Sequence, residues 1–182
     1  MEEIKKLVAS CSQAVKDSHK APLFQLPERL TAAKIFQVYD ADSCRFTIDF
    51  HGVPTSWKSR VRHINSAEIK TKCPVEKKLA LEARDFAREL MDEKIVAVLP
   101  HKTDLYGRVL VDIFLESGAS LADVVLEQKL AWPYEGTRKF GDIELDENDT
   151  YCECCQGSEK ARKNCKMWRT LREERDLFVN QN

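Results

Sequence analysis

The sequence reads as an α+β protein built on a five-stranded Greek-key β-barrel of the OB type, with helices packed on it, an N-terminal helix and a cysteine-containing helical C-terminal extension. Three observations predict this. Strand-like patterns recur over residues 35–64 with tight turns between them. A long apolar stripe at helical spacing follows Pro74. Two more strand patterns then precede a well-capped helix, and the order β-β-β-α-β-β-α is that of an OB-type barrel.

Taken in order, residues 1–18 place Ile4, Leu7, Val8, Cys11 and Val15 at helical spacing, and 19–32, with Pro22 and Pro27, form a connector. Ile35–Asp40 is a strand. Cys44–Phe50 alternates apolar with polar as a half-buried strand does, and Asp40-Ala41-Asp42-Ser43 is the hairpin turn between the two. Trp57–Ile64 is the third strand of an antiparallel meander. Pro74 suits a first helical turn, and Leu79, Ala83, Phe86, Ala87 and Leu90 give that helix one apolar face to about Met91. Ile95–Leu99 and Val109–Leu115 are two more strands. Ser120 is a good N-cap for a helix burying Leu121, Val124 and Val125. The domain division that follows is 1–32 as helix and connector, 33–135 as barrel, and 136–182 as acidic loop, cysteine cluster and a helix from about Ser158 to Phe178.

Composition narrows the function. Charged residues make up 32% and apolar ones 43%, and 29 Lys and Arg against 30 Asp and Glu leave a net charge of −1. Such a chain does not coat nucleic acid through bulk charge, so any polyanion contact is local. No run approaches the roughly 18 apolar residues of a membrane span, and the first residues lead into no signal-peptide core, so the chain reads as intracellular, cytoplasmic or nuclear.

The chemistry concentrates on Ser59–Glu68. Arg60 sits within the strand, and Asn65, Ser66 and Glu68 lie where it opens out. A guanidinium, an amide, a hydroxyl and a carboxylate at one strand end can hold a phosphate and a hard cation together. Asp40 and Asp42 upstream and Asp104-Leu105-Tyr106-Gly107-Arg108 downstream complete the set. Each piece has a plainer explanation: Asp is common in hairpin turns, and a strand arginine often snorkels. His63, on the strand face opposite Arg60, reads as structural.

Asp40-x-Asp42, Arg60-x4-Asn65-Ser66-x-Glu68 and Asp104-x-Tyr106-Gly107-Arg108, in this order over about residues 33–135, resemble the motifs of the staphylococcal-nuclease (thermonuclease) family. The resemblance implies a calcium-dependent phosphodiesterase acting on DNA and/or RNA and leaving 3′-phosphate ends. It implies Asp42, Asn65 and the backbone carbonyl of Ser66 as calcium ligands and Glu68 as general base. Arg60 and Arg108 would bind the phosphate, with Tyr106 and Tyr134 at the substrate. Asn65 stands where the family has an Asp, which removes a charge and implies weaker calcium binding with more water ligands. Ala41 and Ala67 also depart from the family's usual Gly and Pro, and Leu105 stands where the best-known member has a Lys. The alternative is a catalytically weak or inactive module that binds protein or nucleic acid, and the terminal extensions offer surfaces for a protein partner or a second copy.

Seven cysteines exceed what a core needs. Cys11, Cys44 and Cys73 are scattered, whereas Cys152, Cys154, Cys155 and Cys165 cluster. Four thiols are the number of a structural zinc site, yet the first three are more crowded than the usual paired spacing. Zinc, a disulfide such as Cys155 with Cys165, and free thiols all fit the sequence.

Overall fold

A computed structural model describes residues 25–135 and 143–181. The helix expected over 1–18 lies outside the described residues.

Five strands close a barrel in the order β1-β2-β3-β6-β5. β1 (Thr31–Asp40), β2 (Ser43–Phe50) and β3 (Val53–Val61) form the antiparallel meander. β5 (Ile95–Thr103) and β6 (Val109–Phe114) complete it: β6 runs parallel to β3, and β5 closes onto β1 with Thr31 opposite Val98. Alternation decides what each strand buries. In β2, Cys44, Phe46 and Ile48 face the core, and Phe46 stacks on Trp57 of β3 at 5.9 Å between ring centroids.

The third expected strand is in fact two. His63 has φ 64°, a left-handed conformation that costs a residue with a Cβ, and there the chain leaves the barrel. β4 (His63–Ser66) then pairs with β7 (Ala131–Tyr134), a strand without a sequence signal, outside the barrel. The same break ends the alternation, so His63 lines the same groove as Arg60 rather than the opposite face.

α1 (Pro74–Met91) buries Leu79, Ala80, Ala83, Ala87 and Met91 at helical spacing, with Phe86 and Leu90 at the edge of that face. Its Arg88 donates from Nε and Nη2 to the carbonyl of Val38 (3.2 and 3.1 Å), across the irregular stretch of β1. α2 (Leu121–Glu127) starts as expected, with Ser120 Oγ accepting from Asp123 N (3.5 Å). α3 (Glu159–Gln181) inserts Met167, Trp168 and Leu171 into the same hydrophobic cluster as the barrel. Burying Trp168 and Leu171 removes apolar surface from water at about 25 cal/mol per Å². Among the described residues no helix is long and apolar enough to cross a membrane.

Candidate nuclease site and thiol cluster

The turn between β1 and β2 places Asp42 where β2, β3 and β4 meet, and its carboxylate joins them. Arg60 Nη1 donates to Asp42 Oδ2 (2.9 Å), the backbone N–H of Ser66 donates to the same oxygen (3.0 Å), and Ser43 Oγ donates to Oδ1 (2.9 Å). Arg60 lies opposite Ser43 across β2 and β3, so strand register alone brings these groups together. Arg60 Nη2 also reaches the carbonyl of Ile64 (3.4 Å), and its guanidinium lies 5.5 Å from the ring centroid of Tyr134.

Arg108 arrives from the turn between β5 and β6. Gly107 has φ 76°, with open space where a Cβ would sit, and so closes that turn without strain. Asp104 organises it: Oδ1 accepts from the N–H groups of Tyr106 (2.8 Å) and Arg108 (2.9 Å), and Oδ2 from Arg108 Nε (2.8 Å). Partial burial works against its ionisation, but these bonds and the guanidinium hold the Asp104 carboxyl below its ordinary value. Arg108 Nη1 then reaches Ser43 Oγ (3.4 Å), which links the two guanidinium groups through Ser43 and Asp42. Tyr106, 84% exposed, lies with its ring centroid 5.7 Å from the Arg108 guanidinium.

Glu68, just past β4, shares a cleft of about 390 Å³ with Asp40, Ser43, Lys58, Lys70 and Arg108. Asp40 senses the whole site. Burial, then the charges of Asp42 and Glu68, push its carboxyl up to about 6, while Arg60 and Arg108 act in the opposite sense. Arg60, Arg62, His63, Lys102 and Tyr134 line an adjoining groove of about 250 Å³. Cations thus concentrate locally in a chain of nearly zero net charge.

The site therefore gathers Asp42, Ser66, Arg60, Arg108, Glu68 and both tyrosines at one edge of the barrel. Asn65 is buried beside them, and its Nδ2 has no hydrogen-bond partner. Asp42 and Glu68 lie close enough to Asp40 to raise its proton affinity, and the three carboxylates are a donor set suited to a hard cation such as calcium; Asp42 Oδ1 keeps a lone pair beyond the one that Ser43 engages. Asp40 belongs to this set, as its pairing with Asp42 in the sequence suggests.

The family described as "Staphylococcal nuclease homologue" matches residues 58–170. The chain belongs to this family. No curated protein matches it. The family is one of nucleases, and its domains bind nucleic acid. The match begins in β3, ahead of Arg60, and runs into α3.

That C-terminal part holds a second cluster. Cys73, Cys152, Cys154 and Cys155 have sulfur atoms within 4.8 Å of one another, a group that could hold a metal. Cys165 adjoins it, 4.0 Å from Cys73 and 3.8 Å from Cys152. Cys73 is thus not scattered: it is carried to the other thiols by the docking of α3 on α1, across a sequence separation of 92 residues to Cys165. Burial pushes the Cys73 thiol up to about 11 and raises those of Cys152 and Cys155. Cys165 is the exception: burial acts on it too, but hydrogen bonds from Cys152 and the neighbouring thiols hold it below its ordinary value.

Proposed function

We propose that the chain is a calcium-dependent nuclease that hydrolyses phosphodiester bonds of DNA and/or RNA. The observation that supports this most is the convergence of Glu68, Asp42, Asp40 and the two guanidinium groups on one barrel edge. Asp42, Asp40, Asn65 and the Ser66 carbonyl would hold the calcium, which when bound polarises the phosphate and acidifies a water. Glu68, exposed on the cleft, takes the proton of the attacking water. Arg108, aimed by Asp104, presents a forked donor to the phosphoryl oxygens as negative charge builds on them. Arg60, aimed by Asp42 and Ile64, does the same from the groove side. Tyr106 and Tyr134 offer ring faces to bases, and Lys58, Lys70, Arg62 and Lys102 draw the polyanion in. Residues 33–135 are the catalytic unit in this reading, and products carry 3′-phosphate ends.

A binding module without turnover is the second reading. It is favoured by the neutral Asn65 and by the engagement of both arginines with carboxylates, Arg60 with Asp42 and Arg108 with Asp104. A turnover assay on single- and double-stranded DNA and RNA, with calcium and with chelator, separates the two. Calcium-dependent cleavage with 3′-phosphate ends is expected; binding without cleavage at any divalent ion would leave the second reading.

A further inference from the structure

Cys152 precedes and Cys155 ends a 3-10 turn (Glu153–Cys155), and the N–H of Cys155 donates to the carbonyl of Cys152 (2.9 Å), so one tight turn presents both thiols of a Cys-x-x-Cys pair. Cys165 comes from α3, and Cys73 from the residue that caps the start of α1. Cys152 Sγ lies 3.2 Å from that of Cys155, 3.6 Å from Cys73 and 3.8 Å from Cys165, and Cys73 lies 4.0 Å from Cys165. Four sulfurs at about 2.3 Å from a tetrahedral zinc stand about 3.8 Å apart, whereas a disulfide brings two sulfurs to about 2 Å. The observed separations scatter around the zinc value. We propose that Cys73, Cys152, Cys155 and Cys165 form a tetrathiolate zinc site that fastens the C-terminal tail to the segment leading from Glu68 into α1.

The choice among five thiols follows from burial. Cys73, Cys155 and Cys165 are buried and Cys152 is half-buried, as a closed structural site requires, while Cys154 is exposed. Cys154 Sγ also lies near the cluster, 3.0 Å from Cys152 and 3.7 Å from Cys155, so its exposure alone sets it apart. Zinc favours soft thiolates of this kind, and its binding releases the four thiol protons to solvent.

The site reaches the barrel edge through one buried carboxylate. Asn164, next to Cys165, donates from Nδ2 to Glu76 Oε2 (2.9 Å), and Thr71 Oγ1 donates to the same oxygen (2.6 Å). Glu76 Oε1 accepts from the backbone N–H of Glu68 (3.3 Å). The turn of α3 that carries Cys165 therefore helps fix the backbone of Glu68. This consequence for catalysis rests on the nuclease reading; the zinc site does not.

Full-length protein prepared under reducing conditions should carry about one zinc per chain by elemental analysis. Cobalt substitution should give the intense ligand-field and sulfur-to-metal charge-transfer absorption of a tetrahedral thiolate site. A zinc-selective chelator, in calcium-containing buffer, should lower Tm. Cys73→Ser and Cys165→Ser should lose the zinc, whereas Cys154→Ser should keep it. Zinc-free wild type with freely titratable thiols or a disulfide would overturn the site. Zinc kept in Cys165→Ser but lost in Cys154→Ser would overturn the ligand assignment. The wild-type metal content and cobalt spectrum decide the matter even where a variant fails to fold. Stoichiometric zinc in a chain without turnover would sink the nuclease reading and leave this one standing.

Discussion

The segment from Ser66 to Cys73 carries a different cluster at each end. At the Ser66–Glu68 end, carboxylates and guanidiniums are aimed by turns and strand register: Asp42 by the β1–β2 turn, Arg60 by its pairing with Ser43, Arg108 by its own Asp104. At the Cys73 end, soft thiols from a local turn meet those of Cys73 and Cys165 through the docking of α3 on α1. The first cluster is partly open to a cleft; the second is mostly closed. An open charged edge suits a polyanionic substrate, and a closed thiol knot suits a fastening. Glu76 lies between them, bonded to both sides.

The division can be broken from either end. The largest effect is expected from Glu68→Gln, which removes the proton acceptor of the proposed nuclease reaction but keeps the shape: turnover should fall by about 10²–10⁴-fold with substrate affinity and Tm unchanged. A parallel loss of binding would show that Glu68 holds structure rather than a proton. Glu76→Ala should instead act on both ends, because it leaves Thr71, Asn164 and the Glu68 N–H without their acceptor. A stability loss of about 1–3 kcal/mol in chemical denaturation is expected, accompanied by slower turnover. Unchanged stability would mean the two clusters are independent.

Asp40 gives a pH signature to the charged end alone. Its folded value of about 6 lies above the ordinary 3.8, so the folded chain holds the proton more tightly than the unfolded one. The stability it contributes is complete below the ordinary value and is lost as pH rises through about 6. Asp40→Asn, always neutral, should flatten that decline, so the gap in Tm between variant and wild type widens from pH 3.8 to 6 in metal-free buffer. Parallel profiles would show that neither burial nor the charges of Asp42 and Glu68 raise Asp40. The smallest effect is expected at Tyr106, which is exposed: Tyr106→Ala should weaken single-stranded substrate by about 1 kcal/mol, roughly fivefold in KM, with kcat kept.

What the sequence revealed follows the same division. Local patterns were legible: the alternation of β2, Pro74 and the stripe to Met91, the Ser120 cap, and motifs whose residues sit in tight turns or paired strands. Anything set by tertiary docking was not. The break at His63 rests on a left-handed φ, which histidine adopts more often than most residues but still rarely, so β4 and its pairing with β7 had no usable signal. Asp40 was legible as a member of the Asp40-x-Asp42 pair, but its burial and its nearness to Glu68 were not. Cys73 joins the thiols across almost half the chain, and the Cys152-x-x-Cys155 pair was the one hint that their crowding conceals a regular spacing.

The central claim is that Glu68 and Arg108 act on one phosphate. Single-turnover rates of Glu68→Gln, Arg108→Ala and the double variant test it most directly, because groups serving one transition state lose rate non-additively. The double variant should be slowed little more than the worse single one. A double variant slowed by the full product of the two single effects, or single variants as fast as the wild type, would contradict the account.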